Sequence, residues 1–160
     1  MATAAAGRSL QGRIPLARLE RALPALTSSA GEFQVVLELG KDVDGTHYLA
    51  GSLQGDVQLA CQRCLGQMVL PLNVDFRLGL VRDKDAINDL SDAYDPLVVT
   101  AEPADIADIL SDEVLLALPI VPLHGESEEC QGLLKRYQPP AEDQRENPFA
   151  VLAELKQKQQ

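Results

Sequence analysis

Two long stretches of apolar/polar alternation, residues 49–59 and 68–80, constrain this chain more than any other feature. They meet across a loop, Cys61 to Gly66, that begins with Cys61-Gln62-Arg63-Cys64. In the first stretch Leu49, Gly51, Leu53, Gly55, Val57 and Leu59 share one parity, and Ser52, Gln54, Asp56 and Gln58 hold the other. In the second, Met68, Leu70, Leu72, Val74, Phe76, Leu78 and Leu80 alternate with Pro71, Asn73, Asp75, Arg77 and Gly79. Successive side chains of a strand point to opposite faces of a sheet, so a two-residue period marks a half-buried strand. The two stretches are read as an antiparallel hairpin with both thiols at its tip and with Gly66 free to take a positive φ. Pro71 has no N–H for the ladder and is expected at an edge or with that position toward solvent.

The flanking segments fill out an α+β architecture. A short helix is expected over residues 15–23, with Leu16, Leu19 and Leu23 on one face and Pro24 ending it. Phe33, Val35, Leu37 and Leu39 alternate with Gln34 and Glu38 as a first strand, and residues 40–46 turn the chain. After an acidic loop, 83–95, the run 96–100 reads as a fourth strand. Pro103 then opens a helix in which Ile106, Ile109, Leu110, Val114, Ala117 and Leu118 keep the helical period until Pro119, with Asp105 and Asp108 complementing its dipole. The expected fold is an antiparallel sheet of about three to four strands with a packed helix and short terminal helices. As domains, residues 10–122 form one α+β unit carrying the C-x-x-C hairpin, residues 123–146 a polar loop or disordered segment, and residues 147–157 a short amphipathic helix. That last helix is capped by Asn147-Pro148, with Phe149, Leu152 and Leu155 on its apolar side.

Charge narrows the classes of partner. The formal charge is −10, but residues 1–32 hold Arg8, Arg13, Arg18 and Arg21 against Glu20 and Glu32, while ten acidic residues and one lysine lie between Asp83 and Glu113. That acidic face repels a phosphate backbone, whereas counterion-release binding needs clustered Lys and Arg. An acidic surface suits a basic protein, and it also serves plain solubility. No run approaches the ~18–20 apolar residues of a membrane span, and the N-terminus lacks the pattern of a secretory leader, so a soluble cytoplasmic protein with no membrane association is expected. Three cysteines cannot all pair, and a reducing cytosol keeps them as thiols available for metal, redox or packing roles.

The C-x-x-C pair is half of a structural zinc knuckle, because zinc takes thiolates that a tight turn converges on one ion. The later residues with suitable donors are His124 and Cys130, six apart; His47 begins a strand far from the hairpin tip. The metal set is therefore Cys61, Cys64, His124 and Cys130 around zinc, and the alternative is a pair of thiols that simply pack at a turn. A thioredoxin-like role fits less well, since that motif sits at a helix N-terminus after a strand. Hydrolase, P-loop and dinucleotide motifs are absent, as is the spacing of a calcium loop, so neither catalytic residues nor a small-molecule substrate are indicated.

Four blocks in order carry a family resemblance: residues 59–64, Leu-Ala-Cys-Gln-Arg-Cys; residues 92–96, Asp-Ala-Tyr-Asp-Pro; residues 112–124, ending in Leu-Pro-Ile-Val-Pro-Leu-His; and residues 147–156, beginning Asn-Pro-Phe-Ala. Together they resemble the bacterial YceD family of large ribosomal RNA subunit accumulation proteins, over residues 10–157. The resemblance implies a non-enzymatic role in the synthesis, processing or stability of 23S ribosomal RNA during large-subunit assembly in the cytoplasm. Some relatives carry a second close cysteine pair where this chain has His124 and Cys130. Combined with the charge pattern, it suggests action through a ribosomal or assembly protein that meets the acidic 83–113 face, with ribosomal RNA engaged indirectly. Arg63, Arg18 and Arg21 are the candidate partner or RNA contacts. The alternatives are a small zinc-binding RNA-interaction module and, with less support, a thiol redox protein.

Overall fold

The computed structural model describes residues 7–100, 104–125, 130 and 132. Two compact units divide the chain, Met1–Gly125 and Glu126–Gln160, and the first holds a single five-stranded sheet. Its strands are β1 (Arg8–Pro15), β2 (Glu32–Lys41), β3 (His47–Ala60), β4 (Gln67–Val81) and β5 (Asp95–Val98), and one helix, α1 (Ile106–Ala117), follows them. Strand order in space equals strand order in sequence. The first four strands run antiparallel, and β5 pairs parallel with Leu78–Val81 of β4.

The alternation sets the register of the central hairpin. Leu49 pairs with Leu78, Gly51 with Phe76, Leu53 with Val74, Gly55 with Leu72, Val57 with Leu70 and Leu59 with Met68, so both apolar sets fall on one face. The glycines in that series make room for rings. A Cβ on Gly51 would lie 2.5 Å from Cζ of Phe76, and one on Gly55 would lie 2.7 Å from Cδ1 of Phe33. The apolar face packs beneath Leu16, Leu19 and Ala22 on one side and Leu110 and Val114 of α1 on the other, all buried. The opposite face, with Gln34, Gln54, Asp56, Asn73 and Asp75, is left to solvent or partly so. Each fully buried Leu, Val or Phe contributes about 1.5–3 kcal/mol.

Helix α1 starts where its local chemistry directs. The Asp105 carboxylate accepts from the Ala107 N–H at 2.8 Å, and Asp108 lies in the first turn. Ala107, Leu110, Ser111 and Val114 are its buried stripe, and the Ser111 hydroxyl is satisfied by donating to the Ala107 carbonyl at 2.7 Å.

Several expectations are corrected. The sheet has five strands and is mixed rather than three to four strands and antiparallel. The unforeseen strand is β1, an edge strand whose only sizeable apolar residues are Leu10 and Ile14, too few to impose a clear period. The helix expected over residues 15–23 is replaced by two 3-10 turns, Leu16–Arg18 and Leu23–Ala25, with Pro24 inside the second. Leu16 and Leu19 are nonetheless buried, since apolar spacing demands cover without specifying which helical form supplies it. Between β4 and β5 the chain runs through residues 82–94, including a 3-10 turn at Asp85–Asp89. That is long enough to return β5 parallel to β4, for which about a dozen residues are needed. Pro71 sits on the stretch of β4 that β5 does not cover, so its missing N–H breaks no ladder there. Pro103 and the helix expected over 147–157 lie outside the described residues.

Candidate metal centre

The β3–β4 hairpin ends in a tight loop tied by backbone hydrogen bonds: the Cys61 N–H donates to Gly66 O at 2.9 Å and the Leu65 N–H to Cys61 O at 2.8 Å. The residue with positive φ is Leu65, at 60°, and not Gly66 as the sequence suggested. Turning left-handed directly after Cys64 folds the backbone around the sulfurs, and a side chain there makes the turn costly, by about 1–2 kcal/mol. The segment after α1 runs against this loop, with the Gln62 N–H donating to Pro122 O at 2.8 Å. Its next element is His124, whose N–H approaches Cys61 Sγ at 3.4 Å.

Three donors therefore converge within the first unit. The ligand atoms of Cys61, Cys64 and His124 lie within 4.8 Å of one another, and Cys64 Sγ is 3.3 Å from His124 Nδ1. The tautomer of His124 follows from its other nitrogen: Nε2 is 3.1 Å from the Gln67 carbonyl, which can only accept, so Nε2 carries the proton and Nδ1 turns its lone pair toward the thiols. Cys130, the further donor named from the sequence, belongs to the second unit and is itself buried. None of the three cysteines is in a disulfide.

The electrostatics favour thiolate at Cys61. Burial works against its charge, but the backbone N–H groups of His124, Cys64 and Arg63 and the Cys64 thiol donate to Sγ and hold it down to about 5. A tetrahedral zinc with Zn–S near 2.3 Å and Zn–N near 2.0–2.1 Å sets its donors about 3.5–3.8 Å apart. The observed spread is compatible with that size, and the donor set of soft thiolates with one oriented imidazole fits zinc.

The three candidate arginine contacts occupy separate settings. Arg63 reaches across to the segment after α1, its Nη2 3.5 Å from the carbonyls of both His124 and Gly125. Arg21 pairs with Asp112 of α1 at 2.7 Å, and Arg18 lines a groove beside β1. One cluster had no sequence signal: the Arg77 guanidinium lies 5.4 Å and 5.3 Å from the ring centroids of Tyr48 and Tyr94. The Tyr94 hydroxyl donates to Asp42 at 2.9 Å. Only the pairing of β3 with β4 and of β4 with β5 brings these residues together.

A single mixed sheet covered on one face, with a C-x-x-C hairpin tip and a distant histidine drawn to it, defines a small protein with a group of potential metal donors at one hairpin tip. No solved structure matches the chain. At the level of sequence, the family model for the large ribosomal RNA subunit accumulation protein YceD matches residues 49–156, and the chain belongs to that family. It is 34% identical over 150 residues to a Haemophilus influenzae protein of the same description, covering 88% of this chain and 83% of that relative.

Proposed function

We propose that this chain supports the accumulation of 23S ribosomal RNA during large-subunit assembly in the cytoplasm, acting without catalysis through a ribosomal or assembly protein partner. The observation that carries the reading is family membership, spanning β3, β4, α1 and the donor loop. Charge supports a protein partner. Glu113 on α1 is held above the ordinary carboxylate range by burial and by the neighbouring charges of Asp95 and Asp112, a repulsion that a basic surface relieves. The alternative, a module that touches RNA through Arg18, Arg21 and Arg63, has less support, because Arg21 is already paired with Asp112 and Arg63 turns toward the carbonyls of His124 and Gly125.

Within this reading Cys61, Cys64, His124 and Cys130 hold one zinc ion in a structural role. Zinc, when bound, supplies a cross-link between the β3–β4 hairpin and the segment that follows α1. The protein's own contributions are the Gln67 carbonyl that sets the His124 tautomer and the N–H groups that stabilise the Cys61 thiolate.

Deleting the gene and measuring mature 23S against 16S ribosomal RNA tests the proposal. A fall in 23S, restored by the intact gene, is expected. Normal 23S at all growth temperatures would overturn it.

A further inference from the structure

We propose that Arg63, the cation inside the C-x-x-C loop, is a positioning residue for the donor group: it holds the chain at His124 and Gly125 against the hairpin and so keeps the imidazole aimed at the thiols. The inference rests on the zinc reading given above and adds to it a residue that is not a ligand.

Burial does not place His124. The segment that carries it leaves α1 at Leu118, and its large apolar side chains face outward, with Ile120 99%, Val121 56% and Leu123 46% exposed. An irregular segment that buries so little opens easily unless polar contacts tie it down.

The hairpin supplies such contacts, and they differ in kind. Two are made by His124 itself, its N–H to Cys61 Sγ at 3.4 Å and its Nε2 to the Gln67 carbonyl at 3.1 Å. These form only once the residue has arrived. The Gln62 N–H donates to Pro122 O at 2.8 Å, a main-chain bond that any residue except proline supplies at that position. Arg63 acts at the histidine: its Nη2 lies 3.5 Å from the carbonyl oxygens of His124 and Gly125. One guanidinium NH₂ group has a hydrogen for each oxygen, and a charged donor makes the stronger bond to a carbonyl. With the Gln62 bond it grips the chain on both sides of the imidazole.

The consequence is one of direction. A backbone pinned at Pro122 and again at His124 and Gly125 leaves the ring few ways to point, and the observed one sets Nδ1 3.3 Å from Cys64 Sγ. A donor that is correctly placed for only part of the time weakens the apparent affinity by that fraction. Arg63 is exposed and its contacts are long, so water competes for them; its contribution belongs at the lower end of what groups behind a metal ligand supply, about 10-fold in affinity. An arginine kept for a nucleic-acid contact would, when removed, leave both the ring and the metal affinity unchanged.

The test removes the guanidinium in Arg63→Met, which keeps an apolar stem, and in Arg63→Lys, which keeps the charge; Arg82→Met removes a positive charge from the exposed residue that follows β4. Zinc affinity of each full-length chain is read by competition with a chromophoric chelator, and the His124 tautomer in the chelated chain by ¹⁵N spectra of the imidazole. Unchanged far-ultraviolet circular dichroism confirms the fold. Arg63→Met is expected to bind zinc about 10-fold more weakly than the parent and to lose the single Nε2–H tautomer, with Arg63→Lys intermediate and Arg82→Met unchanged in both. The proposal is overturned if Arg63→Met matches the parent in zinc affinity and keeps the Nε2–H tautomer, or if Arg82→Met is weakened as much. A parent chain that takes up no zinc would instead refute the zinc reading, and the tautomer in the metal-free chain would still decide the role of Arg63.

Discussion

Gly51→Ala is the substitution whose outcome the sheet register decides most sharply. Gly51 faces the core between Leu37 of β2 and Phe76 of β4, its partners in register. The added Cβ would lie 2.5 Å from Phe76 Cζ and 2.7 Å from Leu37 Cδ2, whereas carbon contacts settle at about 3.5–4.0 Å, so ring and methyl must each withdraw by about 1 Å. Both neighbours are packed, at 8% and 5% exposure, and overfilling such a site costs about 1–3 kcal/mol. Replacing Gly by Ala also restricts the unfolded chain, which stabilises by about 0.4–1 kcal/mol. The clash is the larger effect, and a net loss of about 1–2 kcal/mol follows. At Gly12 on β1 the same replacement meets nothing within 4 Å, so there the backbone effect acts alone and stabilises by about 0.4–1 kcal/mol. Urea unfolding followed by far-ultraviolet circular dichroism reads both changes. Trimming the ring in Gly51→Ala/Phe76→Leu should recover part of the loss, through a coupling of about 0.5–3 kcal/mol. A Gly51→Ala chain as stable as the parent, or a Gly12→Ala chain equally damaged, would refute the packing argument.

Elemental analysis of the purified chain is expected to find one equivalent of zinc, lost in Cys61→Ser, and a chelator should lower the thermal midpoint; zinc at one hundred times its Kd stabilises by about 2.7 kcal/mol, and a midpoint indifferent to chelation would count against the site. Asp42 closes the β2–β3 turn. Burial opposes its charge, but the N–H groups of Thr46, Asp44 and Gly45 and the Tyr94 hydroxyl bring it below the ordinary 3.8. Because its folded-state value is depressed, its stabilisation is present above 3.8 and disappears as pH falls through the folded value. Asp42→Asn should therefore be less stable than the parent at pH 7 and converge with it in acid, and an equal gap at both ends of the titration would argue otherwise. Leu110→Ala empties a site on α1 that is 2% exposed and should cost about 2–5 kcal/mol in the same urea assay; a loss below 1 kcal/mol would mean that α1 is not packed as described.

Legibility in the sequence followed signal strength. The β3–β4 hairpin was readable because each strand carries at least four apolar residues on one parity and only one register buries both sets. Helix α1 was readable because acidic residues near its start, an apolar stripe and a closing proline agree, while Asp105 as its cap emerged only from the structure. β1 was not, since an edge strand buries too little to need a pattern. The direction of β5 was hidden for a different reason: alternation shows that a segment is extended and carries no information about which way it runs beside its neighbour.

The donor loop divides along the same line. Sequence alone determined that two thiols stand at a hairpin tip, because a local period and a tight turn are short-range properties. It also named His124 and Cys130 as the remaining donors by elimination. Tertiary structure decided what His124 does. Its Nδ1 meets Cys64 and its Nε2 meets the Gln67 carbonyl, 57 residues away in the chain, and that orientation depends on α1 packing against β4 and delivering the following segment to the hairpin. Strand periods are set by neighbours two residues apart, whereas the tautomer and aim of an imidazole are set by groups that only the folded sheet brings near.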